Sequence, residues 1–450
     1  MFENFAYIID CQLRGVDLLD DRIFIPPKRT IMKIRGLFLA VWTICAHFNS
    51  SAQDYFYVWQ KDGSVTQFEV ADVDSVTFSM SDEPTEMELK MTASELASKM
   101  FLACNIGNTF ESVGCSTTSS NESCWGSPKI TQQIIDAYKE AGFNTVRIPV
   151  AWNTYAEANG GVIPEWWMDR IQEVVDYCMK DDLYVLLNIH WDGGWLERHV
   201  DAASQSSVNK TQENLWGQIA SHFKNYDEHL VFCSANEPDT ENDEQAAILR
   251  SYHQTFVNTV RASGGYNGTR CLVIQCAGTA ADKAVQYDYM PTDVVPNRLL
   301  MEFHYYPYTY ALMEEDADWG PAHWFWGKDY QNIIVDGVNR SCSWHTEETV
   351  ISEFSAIKAK FVDNGIPVVM GEFAIMNREL SAEWQDKFEE CRADYYYFLT
   401  KTAKNHGIVP VLWDTPNGSK SVIDRDKCTV GNQRAMEGLL KGANEGVYPF

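Results

Sequence analysis

From Met91 to the C-terminus the chain alternates between two apolar patterns. One is a short run of apolar and small residues that breaks abruptly into polar ones, as in Val231-Phe232-Cys233-Ser234-Ala235-Asn236-Glu237-Pro238 and Ile366-Pro367-Val368-Val369-Met370-Gly371-Glu372-Phe373. Such runs suit strands covered on both faces, and Pro238 ends pairing because it lacks a backbone donor. The other pattern repeats apolar residues at spacings of three and four, for instance Ile134, Tyr138 and Ala141, as one face of a helix does. Strands are predicted at 102–110, 144–152, 184–191, 229–238, 270–278, 298–307, 366–374 and 408–415. Helices are predicted at 130–141, 167–180, 214–226, 244–261, 350–363 and 384–405, with only a poor helix at 279–296. Strands and helices in strict alternation imply an α/β fold, and eight such units imply a (β/α)8 barrel over 91–450. Thr92-Ala93-Ser94-Glu95 supplies capping-box spacing for a helix at its entrance.

Upstream the pattern changes. Residues 1–31 resemble neither a domain nor an export signal and are expected to be absent from the mature protein. Residues 32–52 read as a signal peptide: Lys33 and Arg35, then a short apolar stretch, then Ser50-Ser51-Ala52 before Gln53. That stretch is too short for a membrane span, which takes about 20 residues. The protein is therefore expected to be secreted, without a membrane span; Trp42-Thr43-Ile44 lacks the small residues that would make Cys45 a lipid anchor. Residues 53–80 alternate like a β-hairpin, with Tyr55, Tyr57 and Trp59 on one face and a turn at Asp62-Gly63, and 81–90 form a polar linker.

A net charge of −27 argues against a nucleic-acid partner, whose phosphates need a basic surface. An uncharged polymer fits. The twelve cysteines include no C-x-x-C pair, and no ligand cluster or glycine-rich phosphate loop points to a metal or nucleotide, so no cofactor is expected. Cys104, Cys233 and Cys276 lie in apolar runs and read as core; Cys115 and Cys124 bracket a polar loop and could pair. A monomer is expected.

In a barrel the C-terminal ends of the strands ring one face, so polar groups far apart in sequence converge. Strand one ends in Asn105-Ile106-Gly107-Asn108-Thr109, strand two in Arg147-Ile148-Pro149, and strand three in Asn188-Ile189-His190-Trp191. Asn236-Glu237 close strand four, His304-Tyr305-Tyr306 strand six, Glu372 strand seven and Trp413-Asp414 strand eight. Two glutamates at strand ends suggest a pair of catalytic carboxyls. Retaining hydrolysis of a glycosidic bond needs two about 5–5.5 Å apart, one to attack the anomeric carbon and one to protonate the leaving oxygen. The acid is expected to have its pKa raised by burial and by its partner's charge. Arg147 and the Tyr306 hydroxyl are expected to keep Glu372 ionised, and alternation from His304 turns Tyr306 rather than Tyr305 inward.

These pieces in this order (Asn-Ile-Gly-Asn-Thr, Val-Arg-Ile-Pro-Val, Asn-Ile-His-Trp, Asn-Glu-Pro, Phe-His-Tyr-Tyr, Gly-Glu-Phe, then Trp413) resemble glycoside hydrolase family 5 over residues 92–450. The resemblance implies a (β/α)8 barrel with Glu237 as acid/base and Glu372 as nucleophile. Arg147, His190, Asn236, His304, Tyr306 and Trp413 would surround a sugar. Trp191 stands where many members carry a second histidine and is expected to join the substrate-binding set; Asp239-Thr240 is acidic where some relatives are basic. Trp195, Trp319, Trp324, Trp326 and Trp344 lie in loops after strands three and six, some expected to line a cleft and others to staple the loops. The implied activity is a secreted retaining endo-β-1,4-glucanase acting on β-glucan chains. A xyloglucanase, a mixed-linkage glucanase (licheninase) or a mannanase are the alternatives within the family. A carbohydrate-binding barrel without catalysis is the alternative outside it, disfavoured because both carboxylates are present.

Overall fold

A computed structural model describes residues 55–59, 65–69, 88–416 and 421–450. The chain divides into two compact units, 1–85 and 86–450. In the first, Tyr55–Trp59 pairs antiparallel with Val65–Glu69, Tyr55 opposite Glu69 and Trp59 opposite Val65. The expected signal peptide, most of the linker and the Asp62-Gly63 turn lie outside the described residues.

The second unit is a closed barrel of eight parallel strands. In chain order these are β1 (Ala103–Ile106), β2 (Thr145–Ile148), β3 (Tyr184–Asn188), β4 (Leu230–Cys233), β5 (Leu272–Gln275), β6 (Leu299–His304), β7 (Val368–Phe373) and β8 (Ile408–Asp414). β8 closes on β1, with Trp413 opposite Asn105. A helix follows each strand: α1 (Gln132–Ala141), α2 (Glu165–Lys180), α3 (Gln205–Phe223), α4 (Asp243–Ala262), α5 (Ala281–Gln286), α6 (Glu347–Lys360), α7 (Ala382–Asn405) and α8 (Gln433–Glu445). α5 is a single short element, as its weak pattern indicated. α3 begins well before its expected start, because in its first turns only Val208 and Gln212 turn inward and leave little apolar signal.

Side-chain alternation sorts the core in two. Val146, Ile148, Val185, Leu187, Ile274 and Met370 face outward and pack under the helices. Ala103, Leu186, Val231, Val273, Leu300, Val369 and Val411 fill the barrel itself. Leu96 and Ala97 join this inner set from the helix Ala93–Lys99, which Thr92 and Glu95 cap reciprocally, as does Met100 just after it. The lower barrel is thus plugged with apolar side chains. Its C-terminal end carries the inward polar residues.

Two details position that end. β4 stops at Cys233; Ser234 still donates to Val273 O (2.9 Å), and then the chain leaves the sheet. Asn236 and Glu237 therefore stand on the segment beyond the strand, tied to α3 by Gln212 Nε2 donating to Ser234 O (2.8 Å). In β7 the register slips by one residue against both neighbours: Met370 opposes Phe303 but Glu372 opposes His304. The slip is a bulge at Gly371. In an unbroken strand Glu372 would share the outward face of Val368 and Met370; the bulge turns it into the barrel.

Candidate active site

Arg147 organises the floor. It is fully buried and inward-facing on β2, and it reaches four groups. Nη1 donates to Asn105 Oδ1 (2.9 Å) and Glu372 Oε1 (3.1 Å), and Nη2 lies 2.9 Å from Glu302 Oε1 and 3.2 Å from Asn236 Oδ1. Burial works against its charge, but Glu302 and Glu372 more than compensate, and it remains a guanidinium. Asn105 in turn donates to the carbonyl of the bulge residue Gly371 (2.8 Å) and fixes the turn that aims Glu372. Because the Asn236 side-chain oxygen accepts from Arg147, its amide nitrogen is the end left to donate to a ligand.

Above this floor, one atom each of Glu237, His304 and Glu372 lies within 4.8 Å of the other two. Glu372 is buried, Oε1 held by Arg147 and Oε2 accepting from Tyr306 Oη (3.1 Å). Burial raises its pKa, with His304 and Arg147 pulling the other way. Glu237 is half-exposed, and its Oε1 sits 2.7 Å from His304 Nδ1. The other imidazole nitrogen, Nε2, is 3.2 Å from Glu302 Oε1. Burial would lower the pKa of His304, but the Glu372 charge and the bonds to Glu237 and Glu302 outweigh it and raise it to about 9. With a carboxylate on each nitrogen, both nitrogens donate and the ring is an imidazolium. This corrects one expectation: burial pushes Glu237 up, but the His304 bond and charge, with Arg147, leave it below its ordinary range.

A wall of rings stands beside the carboxyls. Trp413 and His190 stack at 5.7 Å with planes 9° apart. Trp413 needs the glycine at 107, where an added Cβ would sit 2.9 Å from its Cε2 and Cζ2 atoms. His190 Nδ1 faces Asn188 Nδ2 at 3.0 Å, and Asn188 Oδ1 is already taken by the Val150 N–H. Nδ1 thus accepts, which leaves the proton on Nε2 of a neutral ring; burial, then the charges of Arg147 and His304, hold its pKa well down.

Three residues at or just beyond strand ends have partners outside this cluster. Trp191 lies under the Arg198 guanidinium (4.5 Å), so its observed partner is on its own loop. Tyr305 points outward to His345 Nε2 (2.9 Å) and packs on Phe354, as alternation required. Asp414 is buried in structural bonds to Tyr138 Oη (2.5 Å) and the N–H groups of Val422 and Ile423. Of the loop tryptophans, Trp326 is buried and Trp324 packs against Arg340, whereas Trp319 and Trp344 are exposed. The residue that the strand-end reading missed is Glu302. Its signal was a lone carboxylate two before His304 in an otherwise apolar run, hence on the same inward face.

The sequence matches the cellulase family (glycosyl hydrolase family 5) across residues 106–419. The chain belongs to glycoside hydrolase family 5. Within it, the chain is 33% identical over 367 residues to a xyloglucan-specific endo-beta-1,4-glucanase of Bacteroides ovatus, covering 79% of this chain and 71% of that one. It is 34% identical over 380 residues to an endoglucanase A of Paenibacillus barcinonensis, covering 78% and 90%. Among solved structures, a xyloglucan-specific beta-1,4-glucanase from a ruminal metagenomic library, in complex with XXLG, superposes with a TM-score of 0.72 at 36% identity, covering 80% of this chain and 98% of that one. This family-5 glycanase thus carries the barrel that its strand pattern predicted, and a polysaccharide is its class of substrate. No helix among the described residues is long and apolar enough to cross a membrane. Cys115 and Cys124 form a disulfide, and the remaining cysteines among the described residues are free.

Proposed function

We propose that the protein is a secreted, retaining endo-β-1,4-glucanase in which Glu372 is the nucleophile and Glu237 the acid/base. The observation that carries this is the spacing of the two carboxyls, with oxygens within 4.8 Å of each other. That suits direct attack on the sugar; inversion leaves about 6.5–9.5 Å for a water. A Glu372 oxygen bonds to the anomeric carbon as the glycosidic C–O bond breaks and Glu237 gives its proton to the departing oxygen. Glu237, now a carboxylate, then takes a proton from water as that water attacks the same carbon and the ester to Glu372 breaks. Arg147 and Tyr306 hold Glu372 from two sides, and the Asn236 amide donates to the sugar hydroxyl next to the reacting carbon. Burial is the largest influence on Glu237, and the His304 bond is what holds its pKa down. A sugar bound over Glu237 takes water from its exposed side, which disfavours the carboxylate and raises the acid toward its working range.

Exposed rings support a polymeric substrate. Tyr308 and Trp319 lie 6.2 Å apart, and Trp344 donates from Nε1 to Thr309 Oγ1 (2.8 Å). All three gather on the segment that leaves β6 just after Tyr306, and flat apolar faces suit pyranose rings. Of the relatives named above, two are described as xyloglucan-specific β-1,4-glucanases and one as an endoglucanase. The Cys115–Cys124 disulfide supports an oxidising compartment, in keeping with export. The test is activity of the wild type and Glu372→Ala on carboxymethyl cellulose, xyloglucan, lichenan, mannan and xylan. Activity on the first three above mannan and xylan, lost in the variant, is expected. A preference for mannan or xylan overturns the substrate, and equal activity in Glu372→Ala overturns the catalytic assignment.

A further inference from the structure

We propose that Glu302 is a positioning residue of the catalytic centre: from inside the barrel it fixes the His304 ring with a proton on each nitrogen and anchors Arg147 below Glu372. It rests on the assignment of Glu237 and Glu372 above. Glu302 is fully buried, on the inward face of β6 between Leu300 and His304. A carboxylate in that position is expensive unless its partners justify it. Its Oε1 lies 2.9 Å from Arg147 Nη2 and 3.2 Å from His304 Nε2, so one oxygen joins the two cations that face the acid pair. Those two cations in turn contact Glu372 and Glu237, and Glu302 positions the acid pair through them.

The strand opposite is built around this carboxylate. A Cβ on Gly371 would stand 2.1 Å from Glu302 Oε1 and 2.5 Å from its Cδ. The bulge that turns Glu372 inward and the space that admits Glu302 are therefore one feature, and only glycine serves both. Without a carboxylate on Nε2, His304 needs no second proton, and its Nδ1 is free to be the unprotonated nitrogen, which cannot donate to Glu237. Every charged or titratable group around the ring bears on this balance. Glu237 approaches from the segment after β4, Glu372 from β7 (3.6 Å from Nδ1), Arg147 from β2, Tyr306 from the end of β6 and His190 from beyond β3. Arg147 has no acceptor and the one on His190, Nδ1, is taken by Asn188, so the carboxylates supply what holds the second proton, and Glu302 is the one that no substrate can displace. The raised pKa of His304 agrees with this arrangement.

The experiment has two arms. In the first, the wild-type protein is labelled with ¹⁵N-histidine, His304 is assigned by its absence in His304→Asn, and the ring is titrated by NMR from pH 6 to 10. Imidazolium shifts on both nitrogens at pH 7.5 are expected; a neutral tautomer at that pH overturns the proposal, whatever the variants do. In the second, kcat and KM are measured against pH for Glu302→Gln and Glu302→Asp. The Gln variant is expected to move the basic limb down by at least one pH unit and to lower kcat about tenfold or more at pH 8, with KM within about twofold. The Asp variant, which keeps the charge, is expected to restore part of the limb. A Gln variant with the wild-type pH profile overturns the proposal, as does a loss uniform across pH that Asp does not relieve. Either result leaves the catalytic reading standing if Glu372→Ala is inactive; an active Glu372→Ala removes that reading instead.

Discussion

Replacing Arg147 by methionine keeps most of the side-chain volume and removes the one guanidinium on the floor of the site. Two buried carboxylates lose one of their two cations, Glu302 at 2.9 Å and Glu372 at 3.1 Å, and keep only His304. At an effective dielectric of about 20 each contact is worth roughly 5 kcal/mol before desolvation. Desolvation of the guanidinium offsets much of that, and removing one member of a buried ionic cluster costs about 3–5 kcal/mol in practice. The loss depends on pH. Burial already raises the Glu372 pKa, and without Arg147 it rises further. A carboxyl whose folded pKa lies above its unfolded one destabilises in its ionised form, so the deficit is full at high pH and shrinks as pH falls through the folded value. Urea unfolding of wild type and Arg147→Met at pH 8 and pH 5 is expected to show a difference of about 3–5 kcal/mol at the higher pH and a smaller one at the lower. A difference below about 1 kcal/mol, or one that does not change with pH, would refute the reasoning.

Other perturbations address separate parts of the site. The His304 pKa, raised to about 9 from 6.5, implies stability fully present below 6.5 and lost as pH rises through 9, about 3 kcal/mol at full extent; wild-type unfolding midpoints should fall across this window and those of His304→Asn should fall less. Gly107→Ala places a Cβ 2.9 Å from the Trp413 ring and from Asp414 O, so a loss of about 1–3 kcal/mol with altered tryptophan fluorescence is expected; an unchanged melt and spectrum would show that the ring moves freely. Trp319, two-thirds exposed, should be dispensable for folding, and Trp319→Ala should raise KM on long glucans about 2–10-fold while leaving a small aryl cellobioside unaffected.

Much of the barrel could be read from the chain because its signal is periodic. Inward residues keep strict parity along β1 to β6 and β8, so Asn105, Asn188 and Trp413 share the interior with the apolar Ala103, Leu186 and Val411 two positions before them, as Arg147 does with Thr145 and His304 with Glu302. Glu372 is the exception. Parity turns it outward, and the strand-end motif identified it without giving the reason, which is the one-residue slip at Gly371. A bulge leaves no periodic trace beyond the glycine. Glu302 escaped for the opposite cause: it obeys parity but lies one layer below the polar rim where chemistry was sought. The direction of the Glu237 pKa was also beyond reach, since it depends on which way His304 turns and not on residue type.

The central claim, a covalent intermediate on Glu372 with Glu237 supplying the proton, is tested most directly by trapping. A 2-deoxy-2-fluoro-cellobioside with an activated leaving group slows the second step, and digestion with mass spectrometry locates the adduct. The account predicts one sugar ester per chain, on the peptide containing Glu372. An adduct on Glu237 or on another residue, or initial products of inverted anomeric configuration by NMR, would contradict it.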